Sequence, residues 1–336
     1  MPLSEDPQIL ETANGFVSTL RSAFGHTTNE FRPAHAKGHL LTGTFTPTSF
    51  ASALSSAPHF NTSSVPITVR FSSSTGFPQI PDTDVNANPR GIAVRFHLAD
   101  VGGKRQHTDI VAHSTKFFPT RTGAEFLEFL QAAGGPNAEK AVPEFLGRHP
   151  ETARFLQDPK PSPVSFATEK YFGVNAFRFL KDGKVTILRY RIVPAAVEEH
   201  LDAEALKSKS STYLFDEVPE RLQAGPIEFK LLAQIAEEGD LTDNATVIWP
   251  EEREIVELGR LMVERTLSEE ESRAKQKQII FDPIPRVEGV EASDDPLLEV
   301  RASIYLISGK QRRADKGGDA VDADPKKAVK AVKAAA

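Results

Sequence analysis

Residues 175–193 read NAFRFLKDGKVTILRYRIV, and their reading decides the fold class. Two runs rich in Phe, Leu, Val and Ile flank Asp182-Gly183. A two-residue connection between antiparallel strands is most often a type I′ turn, which needs positive φ at both central positions. Asp-Gly meets that need, so 175–181 and 184–193 are predicted to form a β-hairpin and with it an antiparallel sheet.

Working outward, residues 65–71 (VPITVRF) and 91–98 (GIAVRFHL) carry the same β-branched and aromatic character. Residues 39–45 alternate, 108–112 (TDIVA) form a further short strand, and 226–236 and 256–263 extend the set. The stretch 72–90 (SSSTGFPQIPDTDVNANPR) is dense in Ser, Pro, Asp and Asn and reads as a long irregular loop. Loops of that length are usually functional or disordered. Ile9, Leu10, Ala13, Phe16, Val17 and Leu20 recur at helical spacing, which predicts an amphipathic helix over 7–24. A short helix follows Pro47-Thr48 through Leu54, and 123–134 and 138–147 read as helices. Many short strands with helices at the ends and in the middle predict an α+β fold: an antiparallel sheet, closed on itself, with helical additions. From Ala314 the chain reads ADKGGDAVDADPKKAVKAVKAAA. That composition buries too little apolar area to offset ordering, so residues 1–313 are expected to form the core and 314–336 a disordered Ala/Lys-rich tail.

Composition narrows the chemistry. The 336 residues include no cysteine, two methionines and 22 phenylalanines, with net charge −6. Zero cysteine excludes disulfides, zinc–thiolate and iron–sulfur sites, thiolate-ligated haem and a cysteine nucleophile. The acidic balance argues against nucleic acid or an anionic membrane as partner. No apolar run approaches the ~18 residues of a membrane span, and the N-terminus lacks the basic and apolar regions of a signal peptide, so a cytoplasmic location is expected. The P-loop, G-x-G-x-x-G, H-E-x-x-H and G-x-S-x-G patterns are absent.

Two clusters carry chemistry. In Arg32-Pro33-Ala34-His35-Ala36-Lys37-Gly38 a histidine is flanked by small residues in a basic setting. It is either a packed histidine or a general acid/base, for which imidazole is suited near neutral pH. In Arg301-Ala302-Ser303-Ile304-Tyr305, a helix would set Arg301 and Tyr305 on one face at i, i+4. A guanidinium beside a phenol stabilises the phenolate, a hard ligand for ferric iron; the plainer reading is a surface arginine beside a half-buried tyrosine.

Taken in order along the chain, the motifs resemble the haem catalases. They are Arg32 through Gly38, Val69-Arg70-Phe71-Ser72, Pro89 through Phe96 (PRGIAVRF), Asp243 through Pro250 (DNATVIWP), Phe281-Asp282-Pro283, Glu288-Gly289-Val290-Glu291, and R-x-x-x-Y at Arg301–Tyr305. The resemblance runs from about residue 30 to 313, and the chain is shorter than a full catalase. It looks most like the small catalase-related peroxidases, which implies a barrel of about eight strands and haem b as cofactor. It implies His35 as the distal histidine that moves a proton between the two peroxide oxygens. Tyr305 is implied as the proximal iron ligand and Arg301 as the arginine that keeps it ionised. Arg32, Arg70 and Arg312 match positions that pair with the haem propionates, as arginine's fork suits carboxylates. Phe126 falls where the family stacks a phenylalanine on the haem, and Ser72 matches a serine near the distal histidine.

Two departures stand out. The family stretch D-x-V-G-N-N-T-P is here Asp109-Ile110-Val111-Ala112-His113-Ser114-Thr115-Lys116. The first asparagine position falls on His113, which is either a substitute donor or a packed residue. The residue before His35 is Ala34, smaller than the family's valine. Both changes alter the distal pocket. The expectation is a haem peroxidase that reduces hydrogen peroxide or organic hydroperoxides with a small organic reductant, with weak catalase activity. The alternatives are a hydroperoxide isomerase or dehydratase on the same barrel, or a haem carrier without turnover. A small homo-oligomer is the expected assembly.

Overall fold

The computed structural model describes residues 1–26 and 28–315. In chain order the strands are β1 (Gly38–Pro47), β2 (Val65–Ser72), β3 (Gly91–Val101), β4 (Lys104–His113), β5 (Ser162–Pro163), β6 (Tyr171–Phe172), β7 (Phe177–Lys181), β8 (Lys184–Pro194), β9 (His200–Leu201), β10 (Ile227–Ile235), β11 (Ile255–Thr266) and β12 (Val290–Ala292). The helices are α1 (Pro7–Ala23), α2 (Ser49–Leu54), α3 (Gly123–Gly134), α4 (Ala138–Arg148), α5 (Pro150–Gln157), α6 (Ala203–Lys207), α7 (Tyr213–Ala224), α8 (Glu269–Gln278) and α9 (Pro296–Ala314).

The Asp182-Gly183 hairpin forms as read, with φ of 49° and 75° at the two turn residues. Strands β10, β11, β1, β2, β3, β4, β6 and β8 are hydrogen-bonded in that order, and β8 pairs back with β10. The result is a closed eight-stranded antiparallel barrel, as expected for the fold class. β7 and β12 continue the sheet from β8 outside the ring.

Strand alternation decides where the cavity lies. On β2, Val65, Ile67, Val69 and Phe71 belong to the central core; on β3, Ile92, Val94 and Phe96; on β4, Ile110 and Ala112. With Phe45, Phe166 and Phe229 these side chains form one packed core, as eight strands allow. The intervening residues Arg70, Ser72, Gly91, Ala93, Val111 and His113 are therefore directed to the outer face. The registers align them in rows: Ser72 faces Gly91 and Gly91 faces His113, while Arg70 faces Ala93 and Ala93 faces Val111.

A helical layer covers this face. α9 is capped by Asp295, has Pro296 in its first turn, and packs Val300 and Ile304 against Ala13 and Val17 of α1. Periodicity missed α5, α6, α7 and α8. α8 (EEESRAKQKQ) has no apolar stripe and is held instead by Ser272 and Gln276, and α7 stays helical through Pro219. The β3–β4 hairpin extends past both strands read from sequence, because Gly102 and Gly103 at φ 57° and 71° close it beyond the apolar part. The boundary expected after residue 313 falls at the last residue of α9, and from residue 316 the expected tail lies outside the described residues. Among the described residues no helix is long and apolar enough to cross a membrane.

Candidate active site

A cavity of about 330 Å³ lies between the outer wall of the barrel and the helical layer. That volume is within the usual range of small-molecule sites. Its lining includes every site residue read from the sequence: Arg32, His35, Arg70, Phe126, Arg301, Tyr305 and Arg312.

The barrel side carries the imidazoles. His35 has φ 51°, in the left-handed region that histidine visits more readily than most side chains. The loop is fixed there by a hydrogen bond from Ala36 N to Thr75 O (3.0 Å) and one from Arg70 Nη2 to His35 O (2.8 Å). The His35 ring meets Ser72 through Nδ1 and Oγ at 3.1 Å. It lies over Gly91, where a Cβ would come within 3.0 Å of His35 Nδ1 and 2.7 Å of Ser72 Oγ. Close approach, not its backbone angle, is what favours glycine there. Burial, and then Arg70, push His35 down to about 3, so the ring is neutral at ordinary pH. His113 lines the same cavity, its Nδ1 at 2.7 Å from Thr115 Oγ1. Burial, and then Arg301, push it down to about 4.

The helical side carries the phenol. Arg301, Tyr305, Ser308 and Arg312 follow at i, i+4, i+7 and i+11 and share one face of α9. Arg301 donates to Tyr305 Oη from Nε (3.3 Å) and Nη2 (3.2 Å). Its Nη1 donates to Asn175 Oδ1, and Asn175 Nδ2 donates to Asp295 Oδ2 at 2.8 Å. Asp295 also accepts from Leu297 N at 3.0 Å, so the cap of α9 and the positioning of Arg301 are one network. Two N–H groups of one cation thus converge on the phenol oxygen, the atom a metal would take.

Three arginines share the remaining wall. Arg70 and Arg312 are buried and Arg32 is partly so. Their hydrogen bonds go to neutral acceptors: Gln276 Oε1, Ser308 Oγ and the carbonyls of His35, Ala36 and Ile279. Arg312 Nε is buried with no partner among the described residues. Burial and then Arg312 lower Arg70 to about 9, and burial and then Arg32 lower Arg312 to about 8. Packing like charges together in low dielectric is costly, and an anionic ligand would offset it at this wall. The rest of the lining is apolar: Phe126 sits edge-on to Phe118 at 4.9 Å and tilted against Phe16 at 5.5 Å, with Phe155, Val300 and Ile304 nearby. A flat apolar macrocycle with two propionates and an iron-binding centre fits this set of groups.

Sequence reasoning missed several supports. Asn175 orients Arg301, Gln276 spans Arg70 and the Gly38 carbonyl, and Phe16, Phe118 and Phe155 wall the cavity. Each lies on an element remote from the motif it serves. No local pattern could have flagged them.

A family model for catalase matches residues 14–317. The chain is 35% identical over 295 residues to the catalase-related peroxidase of Mycolicibacterium paratuberculosis, covering 86% of this chain and 91% of that protein. It is 30% identical over 311 residues to the catalase-related peroxidase of Synechococcus elongatus, covering 90% and 88%. To a catalase of Triticum aestivum it is 28% identical over 305 residues, covering 84% of this chain and 60% of that protein. The chain belongs to the catalase family, the haem-binding family whose members act on peroxide, and is a peroxide-acting oxidoreductase.

Proposed function

We propose that this chain is a haem b peroxidase that reduces hydrogen peroxide and organic hydroperoxides with a small organic electron donor, and has weak catalase activity. The observation that carries the proposal is one cavity holding the Arg301–Tyr305 pair, three arginines without carboxylate partners among the described residues, and the neutral imidazole of His35. Tyr305 would hold the iron through its side-chain oxygen, with Arg301 donating to that oxygen and fixing its place. Arg32, Arg70 and Arg312 would take the two propionates, and Phe126 would pack against the ring. When bound, the haem supplies the redox-active iron that passes electrons from donor to peroxide.

The chain's own residues handle the proton. His35 is neutral, and Ser72 holds its Nδ1, which leaves Nε2 to take the proton of a bound hydroperoxide and return it to the departing oxygen. The net reaction is ROOH plus two electrons and two protons giving ROH and water, the electrons coming from the donor. Ala34 in the lining leaves room beside His35 for an organic group, which favours peroxidase over fast dismutation. The proposal extends to a cytoplasmic, small homo-oligomeric protein without nucleic-acid or membrane partners, testable by fractionation and sizing.

The test is the absorption spectrum of the purified protein, followed by a rate comparison. A Soret band typical of tyrosinate-ligated ferric haem is expected, with donor oxidation faster than oxygen release. A colourless protein that takes up no haem sinks the proposal. Rapid oxygen release with negligible donor turnover makes the protein a true catalase. A lipid hydroperoxide rearranged without any donor makes it an isomerase or dehydratase.

A further inference from the structure

We propose that His113 is a second catalytic residue, whose Nε2–H hydrogen-bonds the bound peroxide while His35 takes its proton. The proposal rests on the haem peroxidase reading above and concerns what shares the pocket with His35.

The first support is the register. Ser72, Gly91 and His113 are consecutive partners across β2, β3 and β4, all on the outward face. The His35 ring sits over the middle member, Gly91, and is hydrogen-bonded to the first, Ser72. His113 is therefore the direct cross-strand neighbour of the residue beneath His35, and neighbouring partners lie only about 5 Å apart at Cα. The second support is that the two rings are held alike. His35 Nδ1 meets the hydroxyl of Ser72 and His113 Nδ1 meets that of Thr115. Neither Nε2 forms a hydrogen bond among the described residues, and neither is a sealed buried atom, so both open into the cavity that the two residues line.

A buried histidine that only fills space usually finds a partner or packs both edges. His113 has the Thr115 hydroxyl at Nδ1 but no hydrogen bond at Nε2 among the described residues. Both rings are neutral, so each offers one lone pair and one N–H. Two identical roles would be of little use to a peroxide. A complementary pair is useful: in the proposed arrangement the Thr115 hydroxyl donates to His113 Nδ1, leaving its hydrogen on Nε2, while His35 donates from Nδ1 to Ser72 and keeps a lone pair on Nε2. One ring then accepts the peroxide proton. The other donates to the oxygen on which charge builds as the O–O bond breaks, the kind of aimed donor that lowers such barriers.

The test uses the haem-loaded full chain, with hydrogen peroxide and cyanide as probes. Cyanide binding enters because it needs the same acceptor and donor but no turnover. His113→Phe is expected to slow the reaction with hydrogen peroxide by about 10²-fold and to weaken cyanide binding by about 10-fold. His113→Asn, which keeps an N–H donor, should recover most of both. Thr115→Val keeps the imidazole and the packing volume but frees Nδ1, and should cost a few-fold in both readouts; it decides the question if His113→Phe fails to fold. Unchanged peroxide rate and cyanide affinity in His113→Phe, or in Thr115→Val alone, overturn the proposal. So does His113→Asn being as impaired as His113→Phe, which marks a packing role. A wild-type protein that binds haem and reacts with peroxide while the variants do not differ leaves the peroxidase reading standing; a wild-type protein without haem ends both.

Discussion

The two walls of the cavity are built by different means. The helical wall is one face of α9, where Arg301, Tyr305, Ser308 and Arg312 meet because a helix repeats every 3.6 residues. The barrel wall is assembled from the loop holding His35 and from three strands, each giving one member of the row Ser72, Gly91, His113. A slip of one residue in any of those strands would turn its outward residues into the core and its core residues outward. The helical wall is thus protected by local geometry, and the barrel wall by the tightly filled core behind it. The proposed chemistry follows the division at its two poles, with Tyr305 holding the iron on one wall and His35 handling the peroxide on the other, while Arg70 of β2 and Arg312 of α9 join the walls at the propionates.

Breaking each wall separately gives the largest effects. Tyr305→Phe should lose haem, or convert its ferric absorption spectrum. An unchanged spectrum removes Tyr305 as the ligand. His35→Ala should keep haem and the ferric spectrum while slowing the reaction with peroxide by roughly 10²- to 10⁴-fold, the usual worth of a positioned acid/base. If instead the histidine variant loses haem and the tyrosine variant keeps it, the proposed division of labour is wrong.

Acid separates the same two regions next. The barrel side carries buried imidazoles, and a further one, His59, is packed among Phe60, Phe96 and Phe45 with Nδ1 unpartnered among the described residues. Burial pushes His59 down to about 3, far below the ordinary 6.5. The unfolded chain therefore binds this proton first, so the neutral ring's contribution is whole above pH 6.5 and is lost as pH falls toward 3. His59→Leu should shrink the stability lost between roughly pH 8 and pH 5 by about 2 kcal/mol, whatever its packing cost at high pH. Denaturant melts at both pH values measure it. An unaltered pH difference would mean that His59 is not the buried neutral group described.

Legibility in the sequence divides along the same line. The Asp182-Gly183 turn, the α1 stripe and the Arg301–Tyr305 spacing are each encoded within a few residues, and all three are found. The grouping of Arg32, Arg70 and Arg312 is not local at all. Only motifs resembling a known family pointed to it, because cross-strand register and helix docking join residues hundreds of positions apart. Asn175 shows the limit: it begins the stretch that decided the fold class, yet its hold on Arg301 and Asp295 left no trace in any spacing. α8 shows another, since a helix with no apolar stripe offers periodicity nothing to detect, though its Gln276 braces Arg70.

Gly91 offers the finest probe of the barrel wall. Its backbone is extended and an alanine there is conformationally allowed, so any effect comes from contact alone. The added Cβ would press Ser72 Oγ at 2.7 Å and the His35 ring at 3.0 and 3.1 Å. A hydroxyl can rotate away and a ring can tilt by a few tenths of an ångström, so Gly91→Ala should fold and keep its haem. It should slow the reaction with peroxide by about 10-fold, because small misplacements of a reacting group are costly. Ser72→Ala, which removes the same hydroxyl, should cost a similar few-fold by freeing Nδ1. The two losses should not add. Once alanine at position 91 has displaced the serine hydroxyl, deleting that hydroxyl relieves the 2.7 Å contact and gives up a hydrogen bond already broken. A double variant no slower than Gly91→Ala therefore locates the function in the row itself, whereas fully additive losses would show that Gly91 and Ser72 act on His35 by separate routes.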